Sequence, residues 1–174
     1  MRSVIKLLPV IWLAGCGTVQ HSVNVQDEAA FHPETKVAVD VVSNRTGETF
    51  DVDVEGLLRD AMNKKLAEQD LTPAPDSQNV MTMNVSIIEY RKGDAFKRWL
   101  WPGYGSTVLV VEATLLDAAG AVDATAQANR SVDAGGAYTI GAWENIFDDV
   151  AGDLVADLKM KISGQLVAPL QEDI

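Results

Sequence analysis

Between Val80 and Val132 the chain alternates apolar and polar residues in three successive runs. Met81, Met83, Val85 and Ile87 stand between Thr82, Asn84 and Ser86, a two-residue period that gives a strand one apolar and one polar face. Leu109, Val111, Ala113 and Leu115 repeat the pattern against Glu112 and Thr114. In the third run Val122, Ala124, Ala126 and Ala128 share one face, and Asp123, Thr125, Gln127 and Asn129 the other. Asp117-Ala118-Ala119-Gly120 joins the last two runs as a tight turn, with Asp at its start and Gly where a positive φ is needed. At Ile87-Ile88 the parity changes so that Ile88 and Tyr90 become the apolar side, which predicts a bulge. An earlier run, Lys36 to Val42, sets Val37, Val39 and Val41 inward and Asp40 outward, closed by Asn44-Arg45-Thr46-Gly47.

Two segments change to a helical period. From Phe50 to Asp70, Val54, Leu57, Leu58, Ala61, Met62 and Leu66 fall on one stripe, with acidic residues at its start and Lys64 and Lys65 near its end. Pro73 and Pro75 stop it. From Ala142 to Ser163 the stripe runs through Trp143, Ile146, Phe147, Val150, Leu154, Leu158 and Ile162, and Gly164 stands at the C-cap. Strand, helix, three strands, helix predicts an α+β two-layer sandwich: a mixed four-stranded sheet with both helices on one face (β-α-β-β-β-α). The alanines at 124, 126 and 128 leave room for close helix approach, and the other sheet face stays polar, wet or available to a partner.

The amino terminus adds an address. Arg2 and Lys6 precede a short apolar run, Leu7 to Leu13, and then Leu13-Ala14-Gly15-Cys16. The run is too short to span a bilayer. Its ending resembles the lipobox of bacterial lipoprotein signal peptides, which implies cleavage before Cys16 and lipidation of that cysteine. Gly17, rather than Asp, follows it, and the resemblance then implies the outer membrane, with the domain in the periplasm. The chain divides into a signal peptide (1–15), a lipidated tether (16–34) with a short extended stretch around Val19, Val23 and Val25, one α+β domain (35–164) and a tail (165–174). Cys16 is the single cysteine, which excludes internal disulfides and cysteine metal sites. Loss of Arg2 and Lys6 takes the 14 basic residues to 12 against 25 acidic ones, and the formal charge from −11 to −13. Such a body is a poor match for nucleic acid.

Against that acidity, Arg91 to Gly105 is a basic, aromatic arm. Arg91, Lys92, Lys97 and Arg98 accompany Phe96, Trp99, Trp101 and Tyr104, offset by Asp94 alone. Cations and rings together suit an anionic head group, a glycan or a protein partner, and equally a membrane interface. The competing reading has the rings capping the sheet and the cations solvated. Pro102-Gly103-Tyr104-Gly105-Ser106 precedes a strand, not a helix, and reads as a turn rather than a phosphate cradle. Arg130 reads as a paired arginine near the sheet rim, and Asp149, Asp153 and Asp157, beside Asp148 and Glu144, as a solvated acidic helix face. His21 and His32 are the only histidines and both precede the domain as drawn, so no catalytic residue, metal site or cofactor is expected.

From about Val37 to Leu158 the sequence resembles a family of bacterial envelope lipoproteins known only as a domain of unknown function. The residues that carry the likeness are Glu89-Tyr90-Arg91-Lys92-Gly93, Lys97-Arg98-Trp99, Pro102-Gly103-Tyr104-Gly105, Leu116-Asp117 and Gly135-Gly136. The order of elements is also similar to that of small lipoproteins that help assemble lipopolysaccharide-export machines. These likenesses imply a non-enzymatic, membrane-anchored binding or assembly module, its arm meeting an envelope protein, glycan or lipid head group. The alternatives are an envelope hydrolase using carboxylates such as Glu89 and Glu112, and a purely structural lipoprotein.

Overall fold

The computed structural model describes residues 19–26, 31–101, 104–133 and 141–164. Eight elements follow in order: β1 (Val19–Val25), β2 (Lys36–Asn44), α1 (Val54–Glu68), β3 (Val80–Arg91), α2 (Ala95–Leu100), β4 (Thr107–Leu116), β5 (Val122–Val132) and α3 (Ala142–Ile162). One five-stranded sheet has the order β1-β5-β4-β3-β2. Strands β2 and β3 are parallel, joined through α1, and the remaining pairs are antiparallel. Both long helices cover one face, as their single apolar stripes require.

The core lies between that face and the helices. Met83, Val85 and Ile87 of β3, Leu109, Val111 and Leu115 of β4, and Ala124 and Ala128 of β5 are buried beneath Leu58, Met62 and Leu66 of α1 and Ile146, Phe147, Val150 and Leu154 of α3. Each large side chain so buried contributes about 1.5–3 kcal/mol. The three alanines of β5 are all buried, as expected where a helix approaches closely. The turn at Asp117 is also as the sequence predicts: its Oδ1 accepts from the backbone of Ala119 and Ala121, each at 2.8 Å, and Gly120 has φ 84°.

Three strands change parity, and each change corrects a simple alternation. In β3 the register shifts between Ile87 and Glu89, which brings Tyr90 into the core, as predicted. In β2 a shift between Val39 and Val42 turns Val41 outward, 47% exposed, and buries Val42 instead. In β5 a shift opposite Leu115 and Leu116 exposes Val122 and buries Asp123. A bulge inserts one residue and so exchanges the faces beyond it.

The larger corrections are a fifth strand and a third helix. Residues 19–25, assigned to the tether, pair along their whole length with β5. The short extended stretch expected around Val19, Val23 and Val25 is this strand, and what its short, polar pattern does not show is that it joins the sheet. The strand is held from outside its own pattern, because His21 Nδ1 lies 2.7 Å from Oδ2 of Asp157 on α3. The acidic side of α3 is therefore a solvated face only in part, since Glu144 and Asp149 stay exposed while the others are drawn into contacts. Asp157 is 2% exposed, Asp153 and Asp149 meet Arg130 at 3.0 and 3.5 Å, and Asp148 clamps α1 through Lys64 at 2.8 Å and Lys65 at 2.9 Å. Arg130 is the paired rim arginine foreseen in the sequence. No helix among the described residues is long and apolar enough to cross a membrane.

Two outcomes follow from this packing. Ala128→Leu should overfill the seam between β5 and α3 and lower the unfolding free energy by about 1–3 kcal/mol, read by urea denaturation. The Asp148 carboxyl is held below its ordinary range by hydrogen bonds from Lys64 and then Lys65. A depressed folded pKa gives stability that is present above the unfolded value of about 3.9 and lost as pH falls through the folded one. Asp148→Asn should therefore cost roughly 0.5 kcal/mol at pH 7, the scale of an exposed ion pair, and nothing once the pH is low enough to protonate the folded-state carboxyl. Denaturation midpoints measured across pH 2–7 check it.

Candidate functional site

The arm leaves the sheet where β3 ends at Arg91 and returns where β4 starts at Thr107. It carries the helix absent from the sequence expectation, α2, a short turn-and-a-half that the fifteen-residue stretch does not announce as helical. Asp94 caps it, its Oδ1 accepting from the amides of Phe96 at 3.0 Å and Lys97 at 3.1 Å, which satisfies donors left open at a helix start. The amide of Asp94 donates to the Gly105 carbonyl at 2.8 Å and closes the base of the arm.

Arg98 is the keystone of this base rather than a ligand-facing cation. It is 2% exposed, and its Nη1 donates to the Gly105 carbonyl and to Thr107 Oγ1, both at 2.9 Å. Thr107 Oγ1 in turn donates to the Lys92 carbonyl at 2.9 Å. Burial holds the guanidinium below its usual range, opposed by the charges of Asp94 and Asp133. Asp133 is itself held low by hydrogen bonds from Ser106 and Ser131, with Arg91 and Arg98 adding to the effect. A charge this buried is stable only while its acceptors stay in place.

The other cations are also engaged by the chain. Lys92 Nζ lies 2.8 Å from Oδ2 of Asp51 and 4.7 Å from the centroid of the Trp143 ring. That ammonium pulls the Asp51 carboxyl below its ordinary range. Arg91 Nε meets Glu89 Oε1 at 2.8 Å, and Lys97 Nζ lies 3.9 Å from Oδ2 of Asp94. The expected grouping of Arg91, Lys92, Phe96, Lys97, Arg98, Trp99, Trp101 and Tyr104 as one binding surface is thus divided. Arg98 belongs to the interior, Lys92 to the body, and the rings, with Arg91 and Lys97, to solvent.

What remains outward is mainly apolar, although the Arg91 and Lys97 side chains also stay exposed. Phe96, Trp99, Trp101 and Tyr104 are each 64–65% exposed and Leu100 is 49% exposed. Phe96 and Trp99 lie against each other with ring centroids 5.9 Å apart. Leu100 was not singled out in the sequence, where it reads as one more apolar residue between two tryptophans. At the root, Tyr90 packs edge-on against Phe50 at 5.0 Å and beside Phe147 at 5.2 Å, and burial followed by the Asp51 charge pushes its phenol up to about 12. The arm therefore stands on the core and not on a loose loop.

The uncovered sheet face is polar, as the alternation requires. Ser22, Asn24, Glu112, Thr114, Thr125 and Gln127 line a shallow depression of about 370 Å³ there. The two carboxylates considered for hydrolysis are not set against each other in the register: Glu112 stands opposite Ser86, while Glu89 stands opposite Val110 and is tied to Arg91. His21, placed before the domain by its sequence position, is inside the sheet and engaged with Asp157. Among the described residues no group of three His, Cys, Asp or Glu could hold a metal ion. Cys16, Pro102, Gly103, Gly135 and Gly136 lie outside the described residues.

Gly93 is the position at which the arm should be most sensitive. It has φ 69°, and a Cβ there would come within 2.7 Å of Arg98 Nη1, the Gly105 carbonyl oxygen and the Thr107 nitrogen. Two of these are backbone atoms that cannot swing aside. Gly93→Ala should cost about 1–3 kcal/mol and expose the arm to protease at low concentration while the helices stay protected, read by hydrogen exchange and limited proteolysis.

Among known proteins, no curated protein matches the chain. Its fold is similar to that of the PelC dodecamer from Paraburkholderia phytofirmans, at 19% identity over 82% of this chain and 97% of that one, with a TM-score of 0.57. A point variant of the same dodecamer gives 18% identity, the same coverage and 0.56. A protein described as a candidate lipoprotein from Caulobacter crescentus shares 19% identity over 81% of this chain and 98% of that one, at a TM-score of 0.43, too slight a likeness to bear on the fold. Residues 48–136, which run from the entry to α1 through the arm and beyond β5, match the pattern of a domain of unknown function, DUF4410, and the chain belongs to that family.

Proposed function

We propose that this protein is a lipid-anchored module of the bacterial cell envelope whose work is contact rather than catalysis, held at Cys16 to the outer membrane with its domain in the periplasm. The observation that carries the reading is the arm: five large apolar side chains held outward on a base that is fastened by buried hydrogen bonds. Exposed apolar area of that kind costs solubility, and monomeric domains retain it where something covers it in use. The polar network beneath is equally informative. A chain that buries an arginine to hold a tryptophan-bearing turn in place is presenting that turn, because an idle loop needs no such base.

The sequence before β1 supplies the anchor: a short apolar run ending in Leu13-Ala14-Gly15-Cys16. Chains of the same fold in PelC assemble as dodecamers, which supports an assembly role for this module too, with the arm as one contact among several. Native mass spectrometry of the detergent-extracted protein reads the number of copies.

Cys16→Ser should abolish incorporation of labelled fatty acid and move the protein from the membrane to the soluble fraction. Retention of the wild-type distribution would remove the anchor from the reading. A photocrosslinking residue at position 99 or 101 should capture an envelope component in cells. Labelling by water alone, with unchanged behaviour after Trp99→Ala, would remove the arm.

A further inference from the structure

The arm and the amino terminus meet at one end of the sheet. Val19 stands opposite Arg130 of β5, Val132 of β5 stands opposite Thr107 of β4, and Val108 stands opposite Arg91 of β3. The start of β1 is therefore level with the two strand ends that carry the arm. Strands β1, β5, β4 and β3 are consecutive in the sheet, and neighbours are about 4.8 Å apart, so Val19 and the root of the arm are separated by roughly 10–15 Å across it. Cys16 precedes Val19 by three residues, which span at most about 11 Å. Any lipid on that cysteine is bound to lie at the end where the rings project.

We propose that the arm is a second membrane contact: Phe96, Trp99, Leu100, Trp101 and Tyr104 enter the interfacial layer of the same phospholipid leaflet that holds the acyl chains. This rests on the reading of Cys16 as the lipid anchor. A lipid surface fits the arm better than an anionic ligand or an acidic partner, since Arg98 is buried, Lys92 is engaged by Asp51, and the two exposed cations, Arg91 and Lys97, are already paired with Glu89 and Asp94. The contact left to the arm is mainly apolar and aromatic, the chemistry that Trp, Tyr and Phe bring to the boundary between acyl chains and water, and the exposed Lys97 among the rings suits the head-group layer beside it. It is also what this body needs. A formal charge of −11, or −13 once the leader is removed, repels an anionic leaflet, and one lipidated cysteine on a chain terminus leaves the domain free to swing. Two contacts some 10–15 Å apart fix its tilt, so the arm end faces the bilayer and the termini of α1 and α3 at the far end point away.

The test uses the processed lipoprotein reconstituted in phosphatidylethanolamine/phosphatidylglycerol vesicles with brominated acyl chains. Bromine placed near the head groups should quench tryptophan emission at least twofold. The double variant Trp99→Phe/Trp101→Phe, which keeps Trp143, should lose most of that quenching while its acyl chains hold it on the vesicles. Equal emission in brominated and plain vesicles, together with free access of aqueous iodide, overturns the proposal. So does a photocrosslinker at position 99 that labels protein instead of lipid, an outcome that leaves the envelope-module reading standing. Failure of that reading is separable: the Cys16→Ser chain carries no acyl group, and the arm alone should still bring it down with anionic-poor vesicles at least fivefold more than its Trp99→Ser/Trp101→Ser form. No difference between those two overturns the arm's affinity for lipid.

Discussion

Covering the apolar face of the β3-β4-β5 meander is the condition on which the other features rest. Those three strands offer Met83, Val85, Ile87, Leu109, Val111 and Leu115 on one side only, so α1 and α3 must both lie there, and the opposite side is left to hydroxyls and amides. The helices are long enough to cover the face but not its margins. The margins are sealed by polar means: β1 is fastened by His21 and Asp157, the rim of β5 by Arg130 with Asp149 and Asp153, and α1 is joined to α3 by Lys64, Lys65 and Asp148. An amphipathic helix with acidic residues on its flank thus serves twice, burying its stripe in the sheet and holding the neighbouring elements from the side.

The same logic governs the arm. A hairpin extension has no core of its own, and its fifteen residues would be disordered unless something other than burial of its rings fixed them. The structure meets that cost with charge. Arg98 turns inward to bridge Gly105 and Thr107, Asp94 caps the short helix, and Lys92 is drawn to Asp51 and Trp143. Arg98 and Lys92 are consumed in building the base while Arg91 and Lys97 stay exposed, and this is why the projecting surface is mainly aromatic and apolar although the stretch is rich in Arg and Lys. Two properties that look like one in the sequence, basicity and aromaticity, have separate tasks.

Bulges set the boundaries between these regions. The shift at Ile87 and Glu89 turns Tyr90 into the core between Phe50 and Phe147 and so attaches the arm to the main body. The shift at Val39 and Val42 alters the β2 edge, and the one beside Leu116 buries Asp123 near the turn. Each exchanges the two faces over the remainder of its strand. The first is read from the adjacent Ile87 and Ile88 together with Tyr90, whereas at β2 Val41 continues the Val37 and Val39 alternation and only the pairing with β3 shows that Val42 takes the inward place.

By itself, the sequence determined the α+β class, the meander and its turn at Asp117, the two long helices with their stripes, the bulge at the root of the arm, and the arm as the stretch that stands apart. These are all local: a period of two or 3.6 residues, a turn residue, a composition that departs from its surroundings. Tertiary structure decided what depends on distant partners. Residues 19–25 became a strand because β5 offered an edge and Asp157 offered His21 a partner 136 positions away. The acidic flank of α3 became a set of clamps, Arg98 became interior, and the start of β1 came level with the arm. Residues 19–25 show a faint alternation at Val19, Val23 and Val25 but no sign of their partner. The others have no period to read, since a charged side chain looks the same in a sequence whether water or a buried hydrogen-bond acceptor is waiting for it, and only the folded chain supplies the acceptor.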